Sequence, residues 1–126
     1  MVKLDHITLP VSDWRASRDW WVAAFGFAVE FEEPQGGIRG LGVCALQDDA
    51  GLTVFLDATD QPVQSGQAVY ALQVDDVDAL HARLAAKGVA FISPPARKFW
   101  GYGAVVADPD GHVLNLWDER SMAANG

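Results

Sequence analysis

The chain has 126 residues, half of them hydrophobic, which is enough to fill the core of one domain, yet no apolar run is long enough to cross a bilayer. Nine basic residues against seventeen acidic ones leave a net charge of −8, which confers solubility, repels polyanions and excludes nucleic acid as a partner. The single cysteine, Cys44, cannot close an internal disulfide, and "MVKLDHITLP" lacks the basic and apolar regions of a leader, so a cytoplasmic protein is expected.

Taken in chain order, "HITLPV" from His6 alternates as a strand, with Ile7, Leu9 and Val11 on one side. Asp13 then stands at a helix-cap position, and Trp14, Ser17 and Trp21 recur at i, i+3 and i+7 along one helical face. Gly26 suits the left-handed residue after that helix, and "FGFAV" leads into a second strand. "EEPQGGIRGLG", Glu32 to Gly42, reads as a flexible loop; "DDAGLTVFLD" reads as a turn closed by Gly51 that opens into a strand. "TDQPVQSGQ", Thr59 to Gln67, reads as a linker.

The same order then returns. "VYALQVDDVDALHARL" from Val69 matches the first strand and helix at an offset of 63, placing Asp76 on Asp13 and Val77, Leu80 and Leu84 on Trp14, Ser17 and Trp21. "KGVAF" with Gly88 matches "FGFAV", and "DPDGHVLNLW" with Gly111 matches "DDAGLTVFLD" at an offset of 60. Between them "SPPARKFWGYG", Ser93 to Gly103, reads as a loop stiffened by Pro94 and Pro95, and the closing "RSMAANG" reads as a frayed tail.

Two strand, helix, strand, strand, strand units predict an α+β fold: two βαβββ modules forming paired, curved, four-stranded mixed sheets with the helices on the outer faces. The expected boundaries are 1–58 for the first module, 59–66 for the linker, 67–118 for the second module and 119–126 for the tail, one domain overall. Alternation then assigns His6, Thr8, Thr53, Phe55, Asp57, Val69, Ala71, Gln73, Val113, Asn115 and Trp117 to the sides away from the helices, where the sheets are expected to enclose a cleft.

"LDHITLPVSD", "WWVAAFGF", "VDDVDALHARLAAKGV" and above all "DPDGHVLNLWD" resemble the vicinal oxygen chelate superfamily of glyoxalases, extradiol dioxygenases and bleomycin-resistance proteins. The resemblance runs from Leu4 to Asp118. It implies the fold more firmly than any one activity, because such folds host many. In metal-dependent members the ligands sit on the first and last strands of each module, which here carry His6, Phe55, Val69 and Asn115. Only His6 is a competent ligand, and Asn115 replaces a carboxylate with a neutral amide. A catalytic metal normally takes about three protein ligands, so neither metal nor cofactor is expected, and Asn115 becomes a polar group orienting an organic ligand on apolar walls.

His6 could serve as a general base, a lone ligand or a hydrogen-bonded filler. His81 is expected in solvent, and His112 lies on the opposite parity to Asn115. Trp14 and Trp21 fall on the helix packing face, whereas Trp100, Tyr102 and Trp117 offer flat walls for a ligand. Trp100-Gly101 resembles the "WG" pair that precedes the turn in the drug-binding branch. Asp57, Glu30 and Glu32 would attract a cation, Arg39, Arg97 and Lys98 an anion; Asp48 and Asp49 form a turn. "GGIRGLG" lacks the Lys-Ser/Thr of a phosphate loop, and Ser17, Ser65 and Cys44 have no triad around them.

The expected function is metal-free binding of a small, aromatic or antibiotic-like molecule by a homodimer, with His6, Phe55, Asp57, Val69, Gln73, Trp100, Tyr102, Asn115 and Trp117 as the ligand-binding set. The alternatives are a dioxygenase, lyase or glyoxalase-like isomerase of the family, acting through His6 as base or through a displaced metal held by His6 with Glu30 or Asp57, and a structural or regulatory dimer whose cleft has no catalytic use. In such a dimer the subunits pair side by side or exchange modules across the linker.

Overall fold

A computed structural model describes residues 1–126. Eight strands and three helices run β1 (His6–Val11), α1 (Trp14–Phe25), β2 (Ala28–Glu33), β3 (Val43–Gln47), β4 (Thr53–Ala58), β5 (Val69–Gln73), α2 (Val77–Ala86), β6 (Phe91–Lys98), β7 (Gly101–Ala107), β8 (Val113–Trp117) and α3 (Glu119–Asn125). The chain divides into two compact units, Met1–Gln64 and Ser65–Gly126. No helix is long and apolar enough to cross a membrane.

In the first unit the sheet order is β1-β4-β3-β2; in the second it is β5-β8-β7-β6. β1 runs parallel to β4 and β5 parallel to β8, while the remaining pairs are antiparallel. A parallel pair needs a crossover, and here each unit uses its long helix for it. Asp13 caps α1 by accepting hydrogen bonds from the N–H groups of Arg15 and Ala16 at 3.1 Å, and Asp76 caps α2 by accepting from Ala79 at 3.0 Å. Helix α1 stops at Gly26, whose φ of 73° is left-handed.

The internal repeat extends to single hydrogen bonds. Before β4, the Asp48 carboxylate accepts from the N–H groups of Ala50 and Leu52; before β8, the Asp108 carboxylate accepts from those of Asp110 and His112. In both turns the glycine N–H, Gly51 or Gly111, donates to the carbonyl of that aspartate. An aspartate able to bond its own loop and a glycine at positive φ are the chemistry such a tight turn requires.

Burial follows the predicted alternation. Leu9, Val11, Val54, Leu56, Trp14, Trp21 and Ala24 form the buried layer between sheet and helix in the first unit; Val77, Leu84, Ala104, Val106, Leu114 and Leu116 do so in the second. Trp20, Trp21, Phe25 and Phe27 add an aromatic cluster with ring centroids 5.5 to 6.2 Å apart.

Several expectations need correction. The stretch Ser93–Gly103 is not a loop: β6 continues to Lys98, Phe99 and Trp100 make the turn, and β7 begins at Gly101. Pro94 and Pro95 are tolerated because β6 is an edge strand with register shifts on either side of Ser93, so the missing N–H groups break no regular ladder. Arg97 and Lys98 therefore belong to a strand, where Lys98 reaches back to the Ser93 hydroxyl. Glu32 and Glu33 likewise belong to β2, leaving a shorter loop at residues 34–42. The tail is helix α3, capped by Asp118. His81 is half-buried, its ring edge-on to Phe91 at 4.6 Å.

Candidate functional site

On the first unit the side of the sheet away from α1 carries an aromatic patch. Thr8, Phe55 and Ala45 are register partners across β1, β4 and β3, and Phe31 pairs with Ala45 from β2. A bulge between Val29 and Phe31 inserts Glu30 as an extra residue. Bulges re-aim side chains: here Phe31 stands 5.7 Å from Phe55, and the Glu30 carboxylate accepts a 3.2 Å hydrogen bond from the Thr53 hydroxyl on the patch. His6 approaches Phe55 edge-on, with centroids 4.8 Å apart and planes at 81°. Phe55 is half-buried and Phe31 is 43% exposed, so the patch keeps aromatic surface uncovered within its unit.

His6 has one polar partner, its neighbour Asp5, with Nδ1 and a carboxylate oxygen 3.0 Å apart. The hydrogen bond with His6 holds the Asp5 carboxyl below its ordinary range. Such a contact fixes which ring nitrogen faces Asp5 and leaves Nε2 for other work. Two residues along β4 from Phe55, Asp57 is buried beneath the 34–42 loop, where one oxygen accepts the Ile38 N–H at 3.2 Å.

On the second unit the corresponding side of the sheet carries Val69, Ala71 and Gln73 from β5 and Val113, Asn115 and Trp117 from β8, joined in register Val69 to Val113, Ala71 to Asn115 and Gln73 to Trp117. Asn115 and Trp117 are half-buried; Val69 is 55% exposed. Trp100 joins this side by lying over Gly103, where an added Cβ would stand 2.5 Å from its indole ring. Glycine is therefore required there by close approach. Tyr102 does not join them: its hydroxyl donates to Asp78 of α2 at 2.7 Å, on the helix side. Its place on β7, one residue past Gly101, sets the opposite parity to Gly103. Gln73 stands at the edge of a shallow polar recess with Val74, Asp75, Glu119 and Arg120.

Nowhere do three His, Cys, Asp or Glu side chains converge as a ligand group, and Phe55, Val69 and Asn115 occupy three of the four positions the family resemblance assigns to ligands. Glu30 accepts a hydrogen bond from the Thr53 hydroxyl, and one oxygen of Asp57 accepts the Ile38 N–H. Cys44 is fully buried, and that burial pushes its thiol up to about 11, which leaves it inert as a nucleophile.

Asp118, unassigned by sequence reasoning, caps two helices at once. One oxygen accepts the Val77 N–H of α2 at 2.7 Å and the Ser121 hydroxyl at 2.9 Å; the other accepts the Ser121 N–H of α3 at 2.7 Å. The signal was an aspartate before "ERSM", three residues ahead of a serine.

A family model described as Glyoxalase/Bleomycin resistance protein/Dioxygenase superfamily matches residues 3–116. Among solved structures, TnmS3, an antibiotic binding protein from Streptomyces sp. CB03234, is 29% identical, with 94% of this chain and 96% of that one covered and a TM-score of 0.77. TioX from Micromonospora sp. ML1 is 26% identical over 91% of this chain and 97% of that one, with a TM-score of 0.69. A superfamily member from Sphaerobacter thermophilus DSM 20745, at 23% identity with 94% and 98% coverage and a TM-score of 0.75, shares the fold. A search of curated proteins found no match.

Proposed function

Since this chain belongs to the Glyoxalase/Bleomycin resistance protein/Dioxygenase superfamily, we propose that it works within that family as a metal-free binding protein for a small planar organic molecule. The observation that carries this reading is Phe55. It stands at a position the family resemblance assigns to a metal ligand, with Phe31 and His6 packed edge-on around it. Aromatic rings in such arrangements offer stacking surface and no lone pairs for a cation. The indole rings of Trp100 and Trp117 and the Asn115 amide supply the same combination on the second sheet, flat walls with one orienting polar group. The likeness to TnmS3, an antibiotic binding protein, supports an antibiotic-like ligand.

A tryptophan-fluorescence screen of planar aromatic compounds tests this, with binders of Kd below about 1 mM expected. Failure to find any would remove the reading. Homodimer formation in the cytoplasm belongs to the same proposal. Val69 and Phe31 leave apolar surface exposed on the two open sheet sides, surface that a second copy would cover. Sedimentation at rising concentration tests for the dimer.

A second reading is an enzyme that uses His6 as general base. The Asp5 contact favours it, because a carboxylate at Nδ1 orients an imidazole for proton transfer at Nε2. Turnover of a bound carbonyl compound that disappears in His6→Ala while binding persists would promote this reading over the first.

A further inference from the structure

Asp57 is only 8% exposed, and its two carboxylate oxygens are treated very differently. Oδ2 accepts the Ile38 N–H, while Oδ1 is enclosed and has no hydrogen-bond partner. The cover over Oδ1 is Gly37, at a φ of 92°, where an added Cβ would stand 2.2 Å from that oxygen. No basic side chain compensates: Arg39, the one cation of the loop, lies 3.8 Å from Asp60 instead.

A carboxylate can accept about four hydrogen bonds, and leaving one buried with a single neutral donor is unfavourable. If Asp57 served only to tether the loop, any neutral acceptor would satisfy the Ile38 N–H; a charge is redundant for that task. It is not redundant for receiving a cation. Asp57 is a register partner of Val43 and Pro10, on the side of β4 that carries Phe55, roughly 6.6 Å further along the strand. A planar molecule resting on Phe55 and Phe31 would extend along β4 toward Asp57. The cover can shift, since Gly36, Gly37, Gly40 and Gly42 punctuate the loop. The net charge of −8 also draws cations toward the chain.

We infer that Asp57 Oδ1 is the recognition point for a protonated amine on the ligand, exposed when Gly37 moves aside, so that the ligand class is a planar aromatic cation. This rests on the binding function proposed above and adds the ligand's charge to it. The test uses two dyes of one skeleton on the full chain: 9-aminoacridine, a cation at neutral pH, and acridone, which is neutral. The wild-type protein is expected to bind the cation about tenfold more tightly, the worth of a charge-assisted hydrogen bond. Asp57→Asn, which keeps the acceptor for Ile38, should abolish that preference. Equal affinities in the wild type, or a preference that survives in a folded Asp57→Asn protein, would overturn the inference while leaving the binding function standing. Binding of neither dye would remove both. Should Asp57→Asn fail to fold, the wild-type preference at 0.5 M NaCl decides: persistence supports a buried pair, and its loss reveals surface steering only.

Discussion

Three pairs of positions sixty residues apart show what the two units share and where they part. Phe55 corresponds to Asn115, Asp57 to Trp117 and Ala58 to Asp118. The turns that lead into these strands are the same down to individual hydrogen bonds, because Asp48 and Asp108 set both geometries. The strands that follow differ in chemistry. One unit places an aromatic ring, a buried carboxylate and a small residue where the other places an amide, an indole and a helix-capping acid. The duplicated backbone is thus held by turn and packing residues, and the side chains on the open sheet sides are free to differ. The first unit is the aromatic one with a glycine loop above its carboxylate; the second is the one braced by an added helix.

The largest test of this contrast removes equivalent core residues. Trp21 and Leu84 occupy the same helical position in their units, 1% and 2% exposed. Trp21→Ala should cost about 4 kcal/mol and Leu84→Ala about 3 kcal/mol by urea unfolding; a loss below about 1 kcal/mol at either would show that the helix is not the lid of its core.

Next comes the glycine loop. An added Cβ at Gly42, where φ is 116°, would stand 2.1 Å from the Trp14 indole nitrogen, whereas at Gly26 nothing lies within 4 Å. Gly42→Ala should therefore cost about 3 kcal/mol through strain plus collision, against about 1 kcal/mol for Gly26→Ala, where only backbone strain acts. Equal thermal shifts would show that the Trp14 indole does not crowd Gly42.

The double cap comes third. Asp118→Ala is expected to lower stability by about 2 kcal/mol, since it orphans the Val77 and Ser121 N–H groups. Burial pushes the Asp118 carboxyl up, but the N–H bonds from Ser121 and Val77 outweigh it, so the group lies below its ordinary 3.8. A depressed folded-state value means that its contribution is complete above the unfolded value and is lost as pH falls through the folded one. The thermal midpoint should fall more steeply below about pH 4 in the wild type than in Asp118→Asn; parallel acid limbs would deny Asp118 that role. The smallest effect is on binding. Phe55→Ala should weaken a planar ligand by about 1 kcal/mol, roughly fivefold, with Asn115→Ala as the comparison in the other unit.

Much of the fold was legible because its determinants are local. The Asp13 and Asp76 caps, the Gly26 stop and the two aspartate turns are short-range hydrogen-bond chemistry written in neighbouring residues. Where tertiary pairing prevailed over local composition, the reading failed. Pro94, Pro95 and two glycines suggested a loop, but the sheet edge accepts prolines, so β6 and β7 run through them. In a loop Tyr102 would have no parity; as a strand residue it turns to Asp78. The composition of the tail suggests fraying, but Asp118 announces a helix start. His6, Phe55 and Asn115 were placeable by alternation alone. The burial of Asp57 was not, since it depends on a loop folding over it and no periodicity encodes that contact.

The claim on which the functional reading turns is that these sheet sides bind an organic molecule without a metal ion. Elemental analysis of untagged protein purified without chelator, alongside His6→Ala, tests it most directly. Only trace Fe, Mn, Ni or Zn, equal in both proteins, is the predicted result. One equivalent of metal per chain in the wild type, lost in His6→Ala, would contradict it.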